Sequence, residues 1–288
     1  MSGISSMMFT NFAAPAVSGE ADDGFASILF HFEGANGSTT IENSITSGPT
    51  FRKEVNLANS RSFISTSDFK FGTSSFRSTQ VSSTGASNTG IYQVTRSFAN
   101  GSWIPRDHWW ANDTTVESHV YVRPNTGGGQ FAIFYGIGTP RFNAGFWNTN
   151  SNTSFDVEFS TNGTYTAGSG GAGYYNFKWT LGTSFNNAWH HIALVRTGNA
   201  LKFFVDGVDQ GLGTRVTGTT RTTADIFTAG SPHIGTTNNA GNLAIADIGG
   251  SFTDYGFRNS NMDDFRFSNA IARYTADFTA PTTAFTDT

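Results

Sequence analysis

Short runs in which apolar and polar residues alternate recur along nearly the whole chain, separated by clusters of Gly, Asn, Ser and Thr. In residues 115–123, for example, Val116, Val120 and Val122 fall on one side of an extended chain, while Glu117 and His119 fall on the other. A period of two residues is typical of a β-strand with one buried face. No segment keeps apolar residues at helical spacing over three turns, so the sequence predicts a nearly all-β chain.

The composition agrees with this prediction and excludes several classes of partner. The 28 Phe supply core material, the 33 Gly suit turns, and only 13% of residues are charged. The formal net charge is −4 and there is no basic run, so we expect no nucleic-acid partner. No apolar run is long enough to span a membrane, and the absence of Cys excludes disulfide bonds.

The expected fold is an all-β, two-sheet antiparallel sandwich. No segment repeats with a period of twenty to fifty residues, which argues against propellers and solenoids and favours two packed sheets of about twelve strands. The clearest hairpin joins residues 189–196 to residues 201–205 through the turn residues Thr197, Gly198 and Asn199. We expect the last strand at residues 261–268, followed by a short helical turn at residues 271–274.

Residues 1–25 predict an extended N-terminal arm that precedes the domain at residues 26–288, which ends in a short C-terminal tail. The arm is rich in small and polar residues and lacks the basic start of a signal peptide. If the arm is held by other proteins, its apolar residues are the ones we expect to become buried. They are Met7, Met8, Phe9 and Phe12.

Three segments resemble a known family. They are residues 28–44 (ILFHFEGANGSTTIENS), 189–207 (WHHIALVRTGNALKFFVDG) and 262–281 (MDDFRFSNAIARYTADFTAP). In this order and spacing they resemble the laminin-G-like branch of the concanavalin A-like lectin/glucanase superfamily, in the form found in structural proteins of tailed phages. The resemblance covers about residues 26–283 and implies a jelly-roll domain.

The resemblance also implies a non-enzymatic structural protein at the virion surface. We expect a capsid decoration or cement protein, with other virion proteins as partners and a homo-oligomeric arrangement in the assembly. The alternatives are a tail-fibre or adhesin subunit that binds host-surface glycans, and a free carbohydrate-binding module.

The resemblance further implies a structural calcium ion where the first and last strands meet. The matching residues are Glu33, Asp263 and Asp264. Calcium binds six to eight oxygen atoms, and carboxylates together with carbonyl groups of the turn at residues 34–37 could supply them. An alternative remains open in which Glu33 pairs with a cation such as Arg266 and Asp264 caps a turn.

Exposed aromatic residues are the candidates for glycan binding, because sugar rings stack on aromatic faces. The residues are Trp103, Trp109 and Trp110 in one loop-like stretch, and Trp147 with Asn148 in another. The alternative is that these Trp residues close an edge of the sandwich or lie in a subunit contact.

Catalysis is not expected. Glycoside hydrolysis needs two carboxylates that flank the scissile bond, and Asp156 and Glu158 are the only such pair on one face of a predicted strand. The Glu-x-Asp-x-x-Glu signature of the glucanases in this superfamily is absent. We expect His190 and His191 to be structural imidazoles that lie on opposite strand faces, one of them directed inward or towards the sheet edge.

Overall fold

The described part of the chain forms sixteen β-strands in two sheets and one short 3-10 turn at Thr183–Phe185. A computed structural model describes residues 26–45, 51–53, 62–79, 91–93, 113–124, 129–137, 142–149, 152–160, 174–198, 200–217, 242–245 and 259–286. All strand pairs within these residues are antiparallel. Within them, no helix is long and apolar enough to cross a membrane.

Sheet A holds eight strands. In spatial order, seven of them are β13 (Val208–Asp209), β12 (Ala200–Val205), β11 (Trp189–Thr197), β6 (Thr114–Val122), β16 (Ser260–Asn269), β4 (Ser75–Ser78) and β3 (Ser62–Ser65). The eighth, β1 (Ala26–Phe30), also pairs with β16. Strand β16 therefore has β6 along one edge, while its other edge is shared by β4 in the first half and β1 in the second.

Sheet B also holds eight strands. In spatial order they are β14 (Thr214–Thr217), β10 (Tyr174–Thr180), β9 (Asn152–Ser160), β8 (Phe142–Thr149), β7 (Gly129–Ile137), β15 (Asn242–Ile245), β5 (Ile91–Gln93) and β2 (Phe51–Lys53).

The two sheets pack face to face around an apolar core. Phe155 on β9 and Phe203 on β12 stack across the interface, with ring centroids 4.1 Å apart and planes inclined by 3°. Trp179 on β10 packs against the same Phe203 ring at 5.3 Å. Burial of one such side chain contributes about 1.5–3 kcal/mol to stability. The predicted two-sheet antiparallel sandwich is confirmed.

A β-bulge interrupts β16 in the centre of sheet A. Opposite Ser118 on β6, β16 places two residues, Asp264 and Phe265, instead of one, and Asp264 adopts a left-handed backbone conformation (φ 54°). The Ser118 hydroxyl donates a hydrogen bond of 3.1 Å to the Asp263 carbonyl. Because of the extra residue, both Met262 and Phe265 reach the core, although strict alternation would put them on opposite faces.

The C-terminal tail, residues 270–286, crosses the outer face of sheet A, which is the face turned away from the core. The rings of Tyr274 and Phe278 stack at 3.6 Å, and both pack against Phe204 of β12. The Phe278 backbone N–H donates a 2.9 Å hydrogen bond to the Gly207 carbonyl. This part of sheet A is therefore covered on both faces.

Two predictions about these segments need correction. Residues 271–274 do not form a helical turn, because the Thr115 hydroxyl bonds to the tail in place of an internal ladder, donating to the Ile271 carbonyl at 3.1 Å and accepting from the Arg273 N–H at 2.9 Å. The polar face of residues 115–123 was expected to lie at the surface of a half-buried strand. The alternation is confirmed, but Glu117 and His119 are buried.

The predicted N-terminal arm lies outside the described residues. Burial of the apolar arm residues therefore stays a prediction; these residues are Met7, Met8, Phe9 and Phe12.

Candidate functional site

Three carboxylates meet beside the bulge, where β1 and β4 share the edge of β16. Asp263 accepts hydrogen bonds from the backbone N–H groups of Lys70 at 2.7 Å and Phe71 at 3.0 Å. Asp264 lies 2.5 Å from Nδ1 of His31 and also accepts the backbone N–H of Phe285, which fixes the end of the C-terminal tail.

Burial changes the acidity of this group. It raises the pKa of Asp263 to about 7; the two backbone N–H donors oppose this shift, and the charges of Asp264 and Glu33 add to it. Burial also raises the pKa of Asp264, against the opposing hydrogen bond from His31. Asp263 and Asp264 therefore hold a proton more readily than the same groups do in water.

The third carboxylate, Glu33, is bound by the turn that precedes β4. Its oxygens accept the Thr73 backbone N–H at 3.0 Å and the Thr73 hydroxyl at 2.5 Å, and the Ser74 hydroxyl lies 3.4 Å away. Gly72 has a φ of 60°, and a Cβ atom there would lie 1.7 Å from Oε1 of Glu33. The turn is therefore shaped around this carboxylate.

These residues do not fit a calcium ion. Both oxygens of Glu33, both oxygens of Asp264 and Oδ2 of Asp263 contact N–H or O–H groups, whereas calcium would need several of their lone pairs at 2.3–2.6 Å. In the part of the chain that the structure describes, no three His, Asp or Glu residues are placed to hold a metal ion. The alternative pairing of Glu33 with Arg266 is wrong, because Arg266 binds Glu117. Asp264, which the same alternative gave as the cap of a turn, lies in the bulge of β16 with a left-handed backbone conformation.

Glu117 is the centre of a buried polar network that the sequence did not predict. Arg266 donates to its Oε1 from Nε at 2.9 Å and lies 2.8 Å away through Nη2, Tyr274 donates to Oε2 at 2.8 Å, and Nε2 of His191 lies 3.1 Å from Oε2. Burial alone would raise the pKa of Glu117, but Arg266, His191 and Arg273 outweigh it and hold that pKa well below its usual value. The network joins β6, β11, β16 and the C-terminal tail.

His119 lies beside this network on the same face of sheet A. Its ring contacts Phe71 edge-on at 4.8 Å and His191 at 5.0 Å, and neither ring nitrogen has a hydrogen-bond partner within the described residues. Burial, aided by His191 and Lys70, lowers the pKa of His119 to about 3, although the Pro281 carbonyl opposes this shift. The imidazole is therefore neutral at physiological pH.

His190 and His191 lie on opposite faces of β11, as predicted. Nδ1 of His190 lies 2.6 Å from Oδ2 of Asp206, and its ring stacks on Phe185 at 4.3 Å near the edge of the core. His191 bonds to Glu117 on the outer face. Both contacts are those of structural imidazoles that orient strands and turns.

The acidic pair on β9 is described only in part. Asp156 accepts the Ser154 hydroxyl at 3.0 Å and lies directly opposite Lys178 on β10. Burial raises the pKa of Asp156, and the positive charge of Lys178 opposes this. The side chain of Glu158 lies outside the described residues.

The predicted glycan-binding aromatics also fall mostly outside the structural description. Trp103, Trp109 and Trp110 are not among the described residues. The backbones of Trp147 and Asn148 belong to β8, opposite Ser154 and Thr153, but their side chains are not described. Their role in glycan binding stays a prediction.

A second feature missed from the sequence lies near one end of sheet A. Arg77, Asn261, Tyr121 and Trp189 occupy directly opposite positions on β4, β16, β6 and β11, and we call them the Trp189 row. Trp189 and Tyr121 are partly exposed, with ring centroids 5.7 Å apart. Alternation along each strand places the row on the outer face. Only the pairing of strands distant in sequence brings these residues together, so no local signal could have shown the row.

Arg123 and Asp68 complete the surroundings of this row. The Arg123 guanidinium lies 4.4 Å from the centroid of the Tyr121 ring and donates to Oδ1 of Asn261 at 2.6 Å. Oδ2 of Asp68 accepts from both Arg77 at 2.6 Å and Arg123 at 3.0 Å. Burial, with the neighbouring charge of Arg77, lowers the pKa of Arg123.

Comparisons with known proteins show the fold and leave the family open. No family model and no curated protein matches the chain. Among solved structures, the botulinum neurotoxin serotype G binding domain is similar over 85% of this chain and 47% of its own, with 11% identity and a TM-score of 0.51. Two others are a Trypanosoma rangeli sialidase in complex with sialic acid, and domain 4 of a Geobacillus stearothermophilus arabinanase in complex with arabinotriose. The sialidase is similar over 85% of this chain and 31% of its own, with 12% identity and a TM-score of 0.48. The arabinanase domain is similar over 85% of this chain and 92% of its own, with 12% identity and a TM-score of 0.45.

At such low identity, the similarity to the neurotoxin domain shows the fold alone: a two-sheet β-sandwich. This chain spans about half the length of that binding domain.

Proposed function

We propose that this chain is a non-enzymatic structural protein of a phage particle, placed at the virion surface as a capsid decoration protein. The supporting observation concerns the three segments that resemble phage laminin-G-like domains. They contribute β1, the β11–β12 hairpin and β16, which all belong to sheet A. Glu117 binds His191 of the second segment and both Arg266 and Tyr274 of the third.

The chemistry of the described acids supports a role without catalysis. Glu117 is sealed in an ion pair, Asp263 and Asp264 accept backbone N–H groups, and Asp156 faces Lys178. A glycosidase needs two carboxylates that can approach one bond in the substrate. Carboxylates bound in this way favour a rigid scaffold that acts through its surface.

The experiment has two arms. In the first, particles from a phage lysate are purified on a density gradient and probed for this chain with a specific antibody. We expect the chain to sediment with intact particles and to be lost from them when residues 1–25 are deleted. Sedimentation only as free protein would contradict the proposal.

In the second arm, the purified chain is assayed with a panel of glycosidase substrates. We expect no turnover. Turnover that disappears in Asp156→Asn or Glu158→Gln would overturn the non-enzymatic assignment, and Asp113→Asn, remote from β9 in sequence, serves as the matched control.

Glycan binding is the second candidate function, as a tail-fibre subunit, an adhesin or a free carbohydrate-binding module. The observation in its favour is the pair of partly exposed aromatic residues in the Trp189 row, Tyr121 and Trp189, in a fold shared with a neurotoxin binding domain. Many copies on one particle would raise weak single-site affinity through multivalency.

A further inference from the structure

We propose that the Trp189 row, together with Arg123 and Asp68, binds glycans that carry a carboxylate group. This inference rests on the second candidate function and names its site and ligand class. It concerns residues other than the aromatic residues that the sequence suggested.

The polar atoms of the two aromatic residues in the row are left without a partner by the residues that the structure describes. In the described part of the chain, no hydrogen-bond partner is found for the Tyr121 hydroxyl or the Trp189 indole N–H. The buried aromatics behave differently, since Tyr274 donates to Glu117 and Trp179 donates to the Gly211 carbonyl. A Trp or Tyr whose polar atom is left for an external partner is typical of a binding surface.

The Arg77 guanidinium favours an anionic ligand. Both this guanidinium and that of Arg123 bind Oδ2 of Asp68. The side chains of Arg77 and Asp68 are 22% and 39% exposed. Among the described residues, Arg77 uses only Nη1 in its contacts, so its other N–H groups can form the paired hydrogen bonds that a carboxylate accepts.

The site is held rigid by groups that do not need to move on binding. The Asn261 side-chain amide donates to the Asp68 carbonyl at 3.0 Å and to the Ser75 hydroxyl at 2.8 Å, while its oxygen accepts from Arg123. Four paired strands of sheet A carry the row. A platform already ordered before binding loses little conformational entropy when the ligand arrives.

A glycan of two or more sugars, one of which carries a carboxylate, matches these features. The apolar face of one ring can stack on the Trp189 indole, and a hydroxyl of that ring can accept from Tyr121. The carboxylate of another sugar can bind Arg77, which lies three strand spacings, about 14 Å, from Trp189 in sheet A. A neutral sugar would use the aromatic ring and offer no carboxylate to the remaining N–H groups of Arg77. The geometry therefore points to acidic sugars in preference to neutral ones.

The experiment applies the purified full-length chain to an array of carboxylated, sulfated and neutral glycans, followed by calorimetric titration of the strongest carboxylated binder and of its neutral methyl ester. We expect binding to carboxylated glycans and at least tenfold weaker binding to the ester. Trp189→Ala is expected to lower affinity for the acid at least tenfold. Arg77→Gln should weaken binding of the acid much more than binding of the ester.

The matched control is Lys202→Gln, which removes one positive charge from the outer face of β12, away from the row. Affinity should stay unchanged in this variant. Thermal melts test whether each variant is folded, and Tyr121→Phe, which keeps the ring and removes only the hydroxyl, replaces Trp189→Ala if that variant unfolds.

Three results would overturn the proposal: no glycan binding at all, binding confined to neutral or sulfated glycans, or full affinity in Trp189→Ala and Arg77→Gln. Loss of the glycan site with normal particle incorporation would leave the decoration function standing. Binding of acidic glycans by a chain that is absent from particles would support the glycan site and contradict the decoration function.

Discussion

Gly72 shows how one residue can be set by a side chain distant in sequence. Its φ of 60° favours glycine, and the carboxylate of Glu33 fills the space that a Cβ atom would need. Gly37 has a similarly positive φ of 84° but has no atom within 4 Å of a Cβ position. Replacing either glycine by alanine would therefore strain the backbone, but only at Gly72 would the new Cβ atom also overlap a side chain, that of Glu33.

We expect Gly72→Ala to lower the free energy of unfolding by about 2–4 kcal/mol, and Gly37→Ala by only about 1 kcal/mol, because the first adds steric overlap to the backbone strain. Urea denaturation of both variants tests this. Adding Glu33→Ala to Gly72→Ala should recover part of the loss. Equal destabilisation by the two glycine variants would show that Glu33 does not shape the turn.

Glu117 is expected to be the most sensitive single polar residue of sheet A. Glu117→Gln keeps the shape but leaves Arg266 buried without its counter-charge, which should cost about 3–5 kcal/mol. Tyr274→Phe removes one hydrogen bond to the same carboxylate and should cost about 1–3 kcal/mol. Chemical denaturation measures both. A loss below about 1 kcal/mol for Glu117→Gln would mean that the network is not closed to water.

At the scale of elements, the pairing of β6 with β16 places two oppositely shifted groups, His119 and Asp263, directly opposite each other. The pKa of His119 falls from 6.5 to about 3, so between these values the unfolded chain binds a proton that the folded chain does not, and this contribution to stability falls as pH falls. The pKa of Asp263 rises from 3.8 to about 7, so its contribution falls as pH rises. From about pH 4 to 6.5 the two slopes cancel.

Removing either residue should therefore reveal the slope of the other. Relative to the parent chain, Asp263→Asn should gain stability as pH rises from 4 to 6.5, by about 1 kcal/mol per pH unit, and His119→Asn should lose stability over the same range. Unfolding curves at several pH values measure both differences. Slopes of the same sign in the two variants would contradict this pairing.

Local elements could be predicted from the sequence because their signals are local. The alternation in residues 115–123 matches β6, and the predicted hairpin matches β11 and β12 within a few residues. The bulge at Asp264 could not be predicted, since one extra residue in a strand leaves no mark until the facing strand is known. The same holds for Glu33 and Thr73, which meet across forty residues of sequence.

The position of the C-terminal tail over the outer face of sheet A could not be predicted, for a related reason. Nothing in the tail sequence shows which face it crosses, so Glu117 and His119 were placed on a solvated face. The calcium prediction depended on residue types alone, and those residues turned out to accept hydrogen bonds from backbone and side-chain donors.

At the scale of the whole molecule, stability should not depend on a divalent cation, because Glu33, Asp263 and Asp264 already have hydrogen-bond donors. We expect no change in melting temperature when EDTA is added to the purified chain. A fall in melting temperature that is restored by calcium and absent in Glu33→Gln would establish the calcium site instead.

Two stacked sheets, with buried Glu117 paired to Arg266 and the Trp189 row on one outer face, fit the proposed role in adhesion between surfaces. A cryo-electron microscopy map of the particles with which this chain sediments would test that role most directly. The account predicts copies of this β-sandwich on the outer surface of the particle, in contact with neighbouring virion proteins. A map of those particles without this chain, or with the chain enclosed in the interior, would contradict it.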